Sequence, residues 1–387
     1  MPIINRISEF HQQMKDWRHD IHAHPEIAFE EQRTSDIVAK KLESFGITVH
    51  RGLAKTGVVG VLKNGEGPSV GLRADMDALP IQELNEFSYR SKYSGKMHAC
   101  GHDGHTSMLL GAAKYLSETK NFKGTICFIF QPAEEGEGGA RLMIEEGLFK
   151  KFPCASVYGV HNLPGKKMGS FEVCPGPMMA AYDTFKINIK GKGSHAAMPH
   201  QGIDPILAGS QIVIALQSLV SRNLDPLDSA VVSVTQFHGG DTNNVIPQEI
   251  FMEGTTRCLK PEIREWLEPN MYRVIEGISM SSGVSFNFNY TRRYPVTVNH
   301  DVETNIAAQI AIEVAGAENV NANTSPVMGA EDFAFMLEKV PGCYLFIGNG
   351  AEVGSCMVHN PNYDFNDEIL PIGATYFSRL VETVLAT

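Results

Sequence analysis

Residues 125–131 read TICFIFQ, a nearly unbroken apolar run of strand length that is closed by Pro132. A run this short has no polar face to turn towards water, so it suits a central strand covered on both sides. The proline stop places Glu134 and Glu135 on the turn just past the strand's C-terminal end. Open α/β sheets gather ligands and catalytic groups at that position. Two further short strands are expected at Val58–Leu62 and Ser69–Arg73, the second running into the acidic Asp75-Met-Asp77. Helical spacing places Ile37, Val38, Leu42 and Phe45 on one face of a helix over Ser35–Phe45. Another helix is expected over His105–Leu116, with Asp103 and Gly104 as its start signals.

Near Ala181 the pattern changes. Asp183–Lys190 alternates as a half-buried strand, Asp204–Val220 reads as a long helix and Ala230–Phe237 as a strand. Glu249–Cys258, a helix over Pro261–Ile278 and the strand Val284–Tyr290 follow, giving the β-α-β-β-α-β order of a ferredoxin-like unit. Helix and strand then alternate again to the C-terminus. A chain of 387 residues exceeds one ordinary core. The expected fold is therefore α/β and two-domain: a catalytic domain with a mixed sheet between helices, 1–181 and 296–387, and an inserted ferredoxin-like α+β domain, 182–295.

Charge and cysteine usage narrow the function classes. A net charge of −11 without a Lys/Arg run argues against nucleic acid, whose phosphates require a basic surface. No stretch approaches the roughly 20 apolar residues needed to span a bilayer. Seven scattered cysteines do not form a disulfide framework, and the first twenty residues hold no signal-peptide core. Both observations lead to the expectation of a cytoplasmic protein with reduced thiols.

The segment 97–105 (MHACGHDGH) packs three histidines, Cys100 and Asp103 into nine residues. Gly101 and Gly104 allow the backbone to bend so that Cys100 and His102 can face one centre, and thiolate with imidazole suits zinc or a similar ion. A histidine-rich surface loop, or a Cys100 nucleophile activated by His102 or His105, fits the same residues. Of Glu134 and Glu135, one carboxylate can bind metal while the other serves as a base. A solvated surface pair is the plainer alternative. His161 follows the apolar run Ser156–Val160, and His359 lies in a Val-His-Asn-Pro turn. Single histidines are often structural, but with Cys100, His102 and Glu135 these two make five N, O and S donors, about what two ions sharing a ligand need. In the insertion, His195 sits in a Gly-rich loop, Asn244 in Asn-Val-Ile-Pro and Arg257 at a strand end. These are suitable donors for an oxyanion and a carboxylate, or ordinary capping and surface residues.

Together the motifs resemble the M20 metallopeptidase family, in particular its N-acyl amino acid and hippurate-type amidohydrolases. The matching pieces are 18–26 (RHDIHAHPE), 73–80 (RADMDALP), 97–105, 131–136 (QPAEEG), 161–162 (HN), 193–197 (GSHAA), 244–247 (NVIP), 254–257 (GTTR), 328–333 (MGAEDF) and 359–361 (HNP). They occur in family order along nearly the whole chain. The resemblance implies two divalent ions held by Cys100, His102, Glu135, His161 and His359, with Cys100 bridging them. Zinc is the expected metal, with manganese, cobalt or nickel as alternatives. It further implies Glu134 as general base, His195 as oxyanion donor, and Asn244, Arg257 and the Gly329 loop at the substrate. Asp77 would fix a ligand histidine by hydrogen bonding. The expected activity is hydrolysis of N-acyl amino acids by a homodimer, or dimer of dimers, joined through the inserted domain. A cysteine-nucleophile amidase and a non-hydrolytic acyl amino acid binding protein are the competing readings.

Overall fold

The computed structural model describes residues 3–350 and 356–386. The chain forms two compact units. The larger comprises Met1–Met178, Val298–Ser325 and Asp332–Thr387; the smaller comprises Met179–Thr297 and Pro326–Glu331.

The larger unit is built on an eight-stranded mixed sheet. Its strand order is Thr48–Leu53, Gly57–Asn64, Gly124–Gln131, Ser69–Asp75, Ser156–Pro164, Gly342–Gly350, Phe171–Glu172, Val320–Asn321. The TICFIFQ run lies inside this sheet, with Ile126, Phe128, Ile129 and Phe130 all inaccessible to solvent. Each such side chain contributes on the order of 2–3 kcal/mol of burial free energy, which explains why this run can occupy only a covered position. Gly124–Gln131, Ser69–Asp75, Ser156–Pro164 and Gly342–Gly350 are mutually parallel along the row. Their C-terminal ends therefore open on one edge, and the register Asp75↔Gln131 brings the two acidic turns side by side.

Helices His11–His22, Gln32–Ser44, His102–Thr119, Asp301–Ala315 and Leu370–Val384 complete this unit. The helix expected from His105 begins three residues earlier, at His102. Gly101 precedes it in the left-handed region (φ 97°), so the chain turns directly from Cys100 into the helix. Asp103 thus falls in the first helical turn, where a carboxylate complements the helix dipole. Gly104 keeps that turn bare, since a Cβ there would lie 2.3 Å from the Phe365 ring.

The smaller unit carries a four-stranded antiparallel sheet, ordered Ala230–His238, Glu249–Cys258, Ala181–Lys190, Ser285–Tyr294, with helices Pro205–Ser218 and Pro261–Ser282. In chain order the strands run 2-3-1-4, the arrangement of a ferredoxin-like β-α-β-β-α-β unit. Alternate residues Phe185, Ile187 and Ile189 are buried, as are Ile212 and Leu216 of one helix and Leu267, Met271 and Ile275 of the other. Asp204 caps the first helix by accepting from the Ile206 and Leu207 amides (2.8 and 3.2 Å), and Pro205 occupies its first turn. The second helix outruns its apolar spacing and stops only at left-handed Gly283. The last strand likewise extends to Tyr294, because its polar residues Thr291 and Arg292 still pair with Thr184 and Asp183. Among the described residues no helix is long and apolar enough to cross a membrane.

Candidate metal centre

The parallel strand ends and their turns place a cluster of donors at one edge of the large sheet. Cys100 and His102 flank the Gly101 bend, both buried. His161 does not end the strand that the apolar run Ser156–Val160 begins. It lies inside Ser156–Pro164, paired with Phe346, because Asn162–Pro164 continue the ladder along Gly342–Gly350. His359 sits in a loop at φ 66°, and its backbone N–H donates to the Ala99 carbonyl (2.7 Å). Glu134 and Glu135 follow Ala133, which adopts φ 54°.

These side chains form two donor triads. The ligand atoms of Cys100, His102 and His161 all lie within 4.8 Å of one another, and so do those of Cys100, Glu135 and His359. Cys100 belongs to both. Its Sγ stands 3.3 Å from His161 Nε2, close to the roughly 3.5 Å separation of donors on one tetrahedral ion. Glu134 joins His102 and Glu135 in a further group of the same tightness.

The hydrogen bonding leaves inward-facing lone pairs without partners. His102 Nδ1 faces Asp77 Oδ1 at 3.3 Å, while its Nε2 is buried with no hydrogen bond. His161 Nδ1 donates to the Asn162 carbonyl (2.6 Å), so its proton is held away from Cys100. Glu135 Oε1 approaches His359 Nε2 to 3.2 Å without hydrogen-bond geometry. Buried polar atoms left unpaired cost about 1–3 kcal/mol each. A borderline divalent cation would satisfy all of them with the mixed S, N and O donors it prefers. The residues present therefore fit a pair of such ions.

Electrostatics favour the same occupant. Burial opposes charge on His102, yet Asp75, Asp77 and Glu135 outweigh it and raise its pKa to about 10. The cluster of carboxylates thus favours positive charge at this point. Burial, followed by the carboxylates of Glu135, Glu134 and Asp75, pushes the Cys100 thiol well above its ordinary range. An activated nucleophilic cysteine needs the opposite, an electropositive setting that lowers its pKa. A bound cation would supply that setting, and would then hold the thiolate as a ligand.

Asp77 organises the centre. Its Oδ1 accepts from the Glu134 amide (3.0 Å) and faces His102, and its Oδ2 accepts from the Glu135 amide (3.0 Å). One carboxylate thus orients a ring and the glutamate turn together. Asp75 does comparable work beneath it, bonding His105 Nδ1 (2.7 Å) and Arg73 (2.7 Å). His105 is thereby tied to Asp75, and the ligand atoms of Asp75, His102 and His105 form another group within 4.8 Å. A third buried carboxylate, Glu31, accepts from the Ala133 amide (2.9 Å) and the Thr56 hydroxyl (2.7 Å), so it braces the strained Ala133. Burial and nearby Asp77 raise its pKa to about 7. Nothing in the polar stretch around Glu31 marks this bracing role, because Thr56 and Ala133 are 25 and 102 residues away.

The remaining candidates belong to the smaller unit. His195 pairs with Val245 in a two-stranded ribbon, and the Ala196 amide donates to the Asn244 carbonyl (2.9 Å), so His195 and Asn244 are neighbours. His195 Nδ1 accepts from the Ala197 amide (3.1 Å), which leaves Nε2 as the donor of an exposed imidazole. Arg257 lies elsewhere. It pairs with Tyr182 at the far end of Glu249–Cys258, its guanidinium 4.3 Å from the Tyr182 ring centroid. The Gly329 carbonyl accepts from the Ala180 amide (2.9 Å) near that same end. Arg257 lies eight positions along the strand from Glu249, roughly 26 Å at the usual rise. Within the smaller unit His195 lies in the two-stranded ribbon beside Asn244, whereas Arg257 lies in the four-stranded sheet.

Comparison with known proteins agrees with this chemistry. Residues 71–383 match the sequence profile of Peptidase family M20/M25/M40. Hippurate hydrolase of Campylobacter jejuni is 43% identical over 98% of this chain and 98% of its own. N-acetylcysteine deacetylase of Bacillus subtilis is 41% identical, also over 98% of each chain. The crystal structure of Bacillus subtilis YXEP protein, described as a dinuclear metal-binding peptidase from the M20 family, superposes with a TM-score of 0.85. It shares 37% identity and covers 98% of this chain and 99% of that one.

Proposed function

This chain belongs to peptidase family M20/M25/M40, and on that premise we propose that it hydrolyses the amide bond of N-acyl amino acids, releasing a carboxylic acid and a free amino acid. The observation that carries this reading is the pair of donor triads sharing Cys100, with the buried Glu134 carboxylate beside them. Cys100, His102 and His161 would hold one divalent ion, and Cys100, Glu135 and His359 the other. When bound, the ions supply Lewis acidity and bring the pKa of a water from 15.7 to about 7. Zinc suits the thiolate best among the candidate metals.

The chain's own residues supply the rest. Glu134 takes a proton from the attacking water and returns one to the leaving amine. Its backbone amide donates to Asp77 Oδ1 (3.0 Å), which holds the turn that carries the carboxylate. His195 Nε2 donates to the developing oxyanion, while Asn244, Arg257 and the Gly329 loop contact the substrate, the guanidinium serving its carboxylate. The placement of His195 in the two-stranded ribbon and of Arg257 in the four-stranded sheet supports a site completed by two copies of the chain. Support for a homodimer, or a dimer of dimers, joined through the smaller unit comes from its edge strand Ala230–His238 and from exposed Phe237, Leu207 and Ile214. A reducing compartment, the cytoplasm, suits seven free thiols, one of them a proposed ligand.

A panel of N-acetyl- and N-benzoyl-amino acids tests the reading through release of free amino acid, and it ranks the acyl groups at the same time. Absence of release from the fully metallated protein would favour a binding protein instead. His195→Ala is expected to lower kcat by about 10²–10³ with metal content unchanged. Full activity in that variant would remove His195 from the mechanism.

A further inference from the structure

Asn162 stands next to His161 and is 1% exposed. A buried amide must have its donors and acceptors matched, so its partners show what it holds. Its Nδ2 donates to the Cys100 carbonyl (2.7 Å) and lies 3.2 Å from His105 Nε2. Its Oδ1 accepts from the Tyr363 hydroxyl (2.7 Å). Its own carbonyl takes the His161 Nδ1 proton, and its own amide donates to His105 Nε2 (2.9 Å). An N–H arriving at Nε2 requires the His105 proton to be on Nδ1, where it meets Asp75.

Three ligand-bearing segments therefore meet at one side chain. Cys100 is bonded through its carbonyl, and His161 is the adjacent residue. His359 lies in the turn that the Asn360 amide closes on the Met357 carbonyl (3.3 Å), and Tyr363 closes the next turn by donating its amide to the Asn360 carbonyl (2.9 Å). The fit is close. A Cβ on Gly101 would come within 2.3 Å of Asn162 Nδ2 and 2.5 Å of the Tyr363 hydroxyl. The amide and the phenol thus fill the space beside the bend that separates Cys100 from His102.

We propose that Asn162 is a second positioning residue of the metal centre beside Asp77, its side-chain amide setting the spacing of Cys100, His161 and the His359 turn before any ion arrives. The proposal deepens the metal-site reading and rests on it. Groups that orient metal ligands typically contribute 10–100-fold to affinity. Asn162→Asp keeps the shape and the acceptor for Tyr363 but places an oxygen against the Cys100 carbonyl. A space-filling role would survive that change, and an orienting role would not. Tyr363→Phe removes only the hydroxyl and keeps the buried ring.

The test uses full-length protein stripped of metal and titrated with zinc against a chromophoric chelator. The cobalt form is used to read the thiolate-to-metal charge-transfer band. Thermal unfolding of the metal-free form follows the fold separately. Asn162→Asp is expected to weaken zinc binding by about 10–100-fold and to alter the cobalt band. Tyr363→Phe is expected to weaken binding less, with the metal-free unfolding midpoint preserved. Wild-type affinity and an unchanged band in both variants would overturn the proposal alone. Failure of the unaltered protein to bind zinc, or full binding by Cys100→Ala, would overturn the metal-site reading and the proposal with it.

Discussion

Glu134→Gln is expected to lower kcat by about 10²–10⁴ while leaving the metal content of the protein unchanged. The amide is nearly isosteric with the carboxylate, so it fits the same buried position. The hydrogen bond that fixes this residue to Asp77 comes from the backbone amide and survives the change. Both donor triads also survive, since neither contains Glu134. What disappears is the ability to accept a proton from water and pass one to the leaving amine. Substrate should therefore still bind, with the loss falling on kcat and not on KM. Metal analysis beside steady-state kinetics checks this. A variant that loses metal instead would mean that Glu134 is the ligand and Glu135 the base.

Cys100→Ala is expected to have the larger effect on the metal itself. Cys100 is the one donor common to both triads, so its removal leaves each proposed ion with two protein ligands. Loss of a direct ligand should exceed the 10–100-fold typical of an outer partner, and affinity is expected to fall by more than about 100-fold. Metal content after gel filtration reads this directly, and activity should fall with it. A cysteine nucleophile would behave otherwise: the variant would be inactive but would keep its ions. The surroundings of Cys100 already weigh against a nucleophile acting without metal, because burial and three carboxylates hold the thiol protonated.

The elements legible in the sequence were those specified by local pattern. TICFIFQ had to be a covered strand, and the Pro132 stop had to leave Glu134 and Glu135 beyond its end. Gly101 between Cys100 and His102 announced a bend, and the alternation of Asp183–Lys190 announced a half-buried strand. Features made by distant parts of the chain were not legible. His161 sits within a strand because a partner nearly 200 residues away extends the ladder past it. Glu31 braces the Ala133 turn and Asn162 reaches Tyr363 across long sequence separations. The return of Pro326–Glu331 to the smaller unit had no local signal either. Helix ends were missed where capping glycines outlasted or preceded the apolar spacing, at Gly101 and Gly283.

The most direct test of the central claim is to strip the protein with a chelator, assay release of free amino acid from an N-acyl amino acid, and return zinc or manganese in measured steps. Release should vanish on stripping and recover as metal is restored, reaching its plateau near two ions per chain. Release that persists in the metal-free protein would contradict the account and turn attention to Cys100 as a nucleophile.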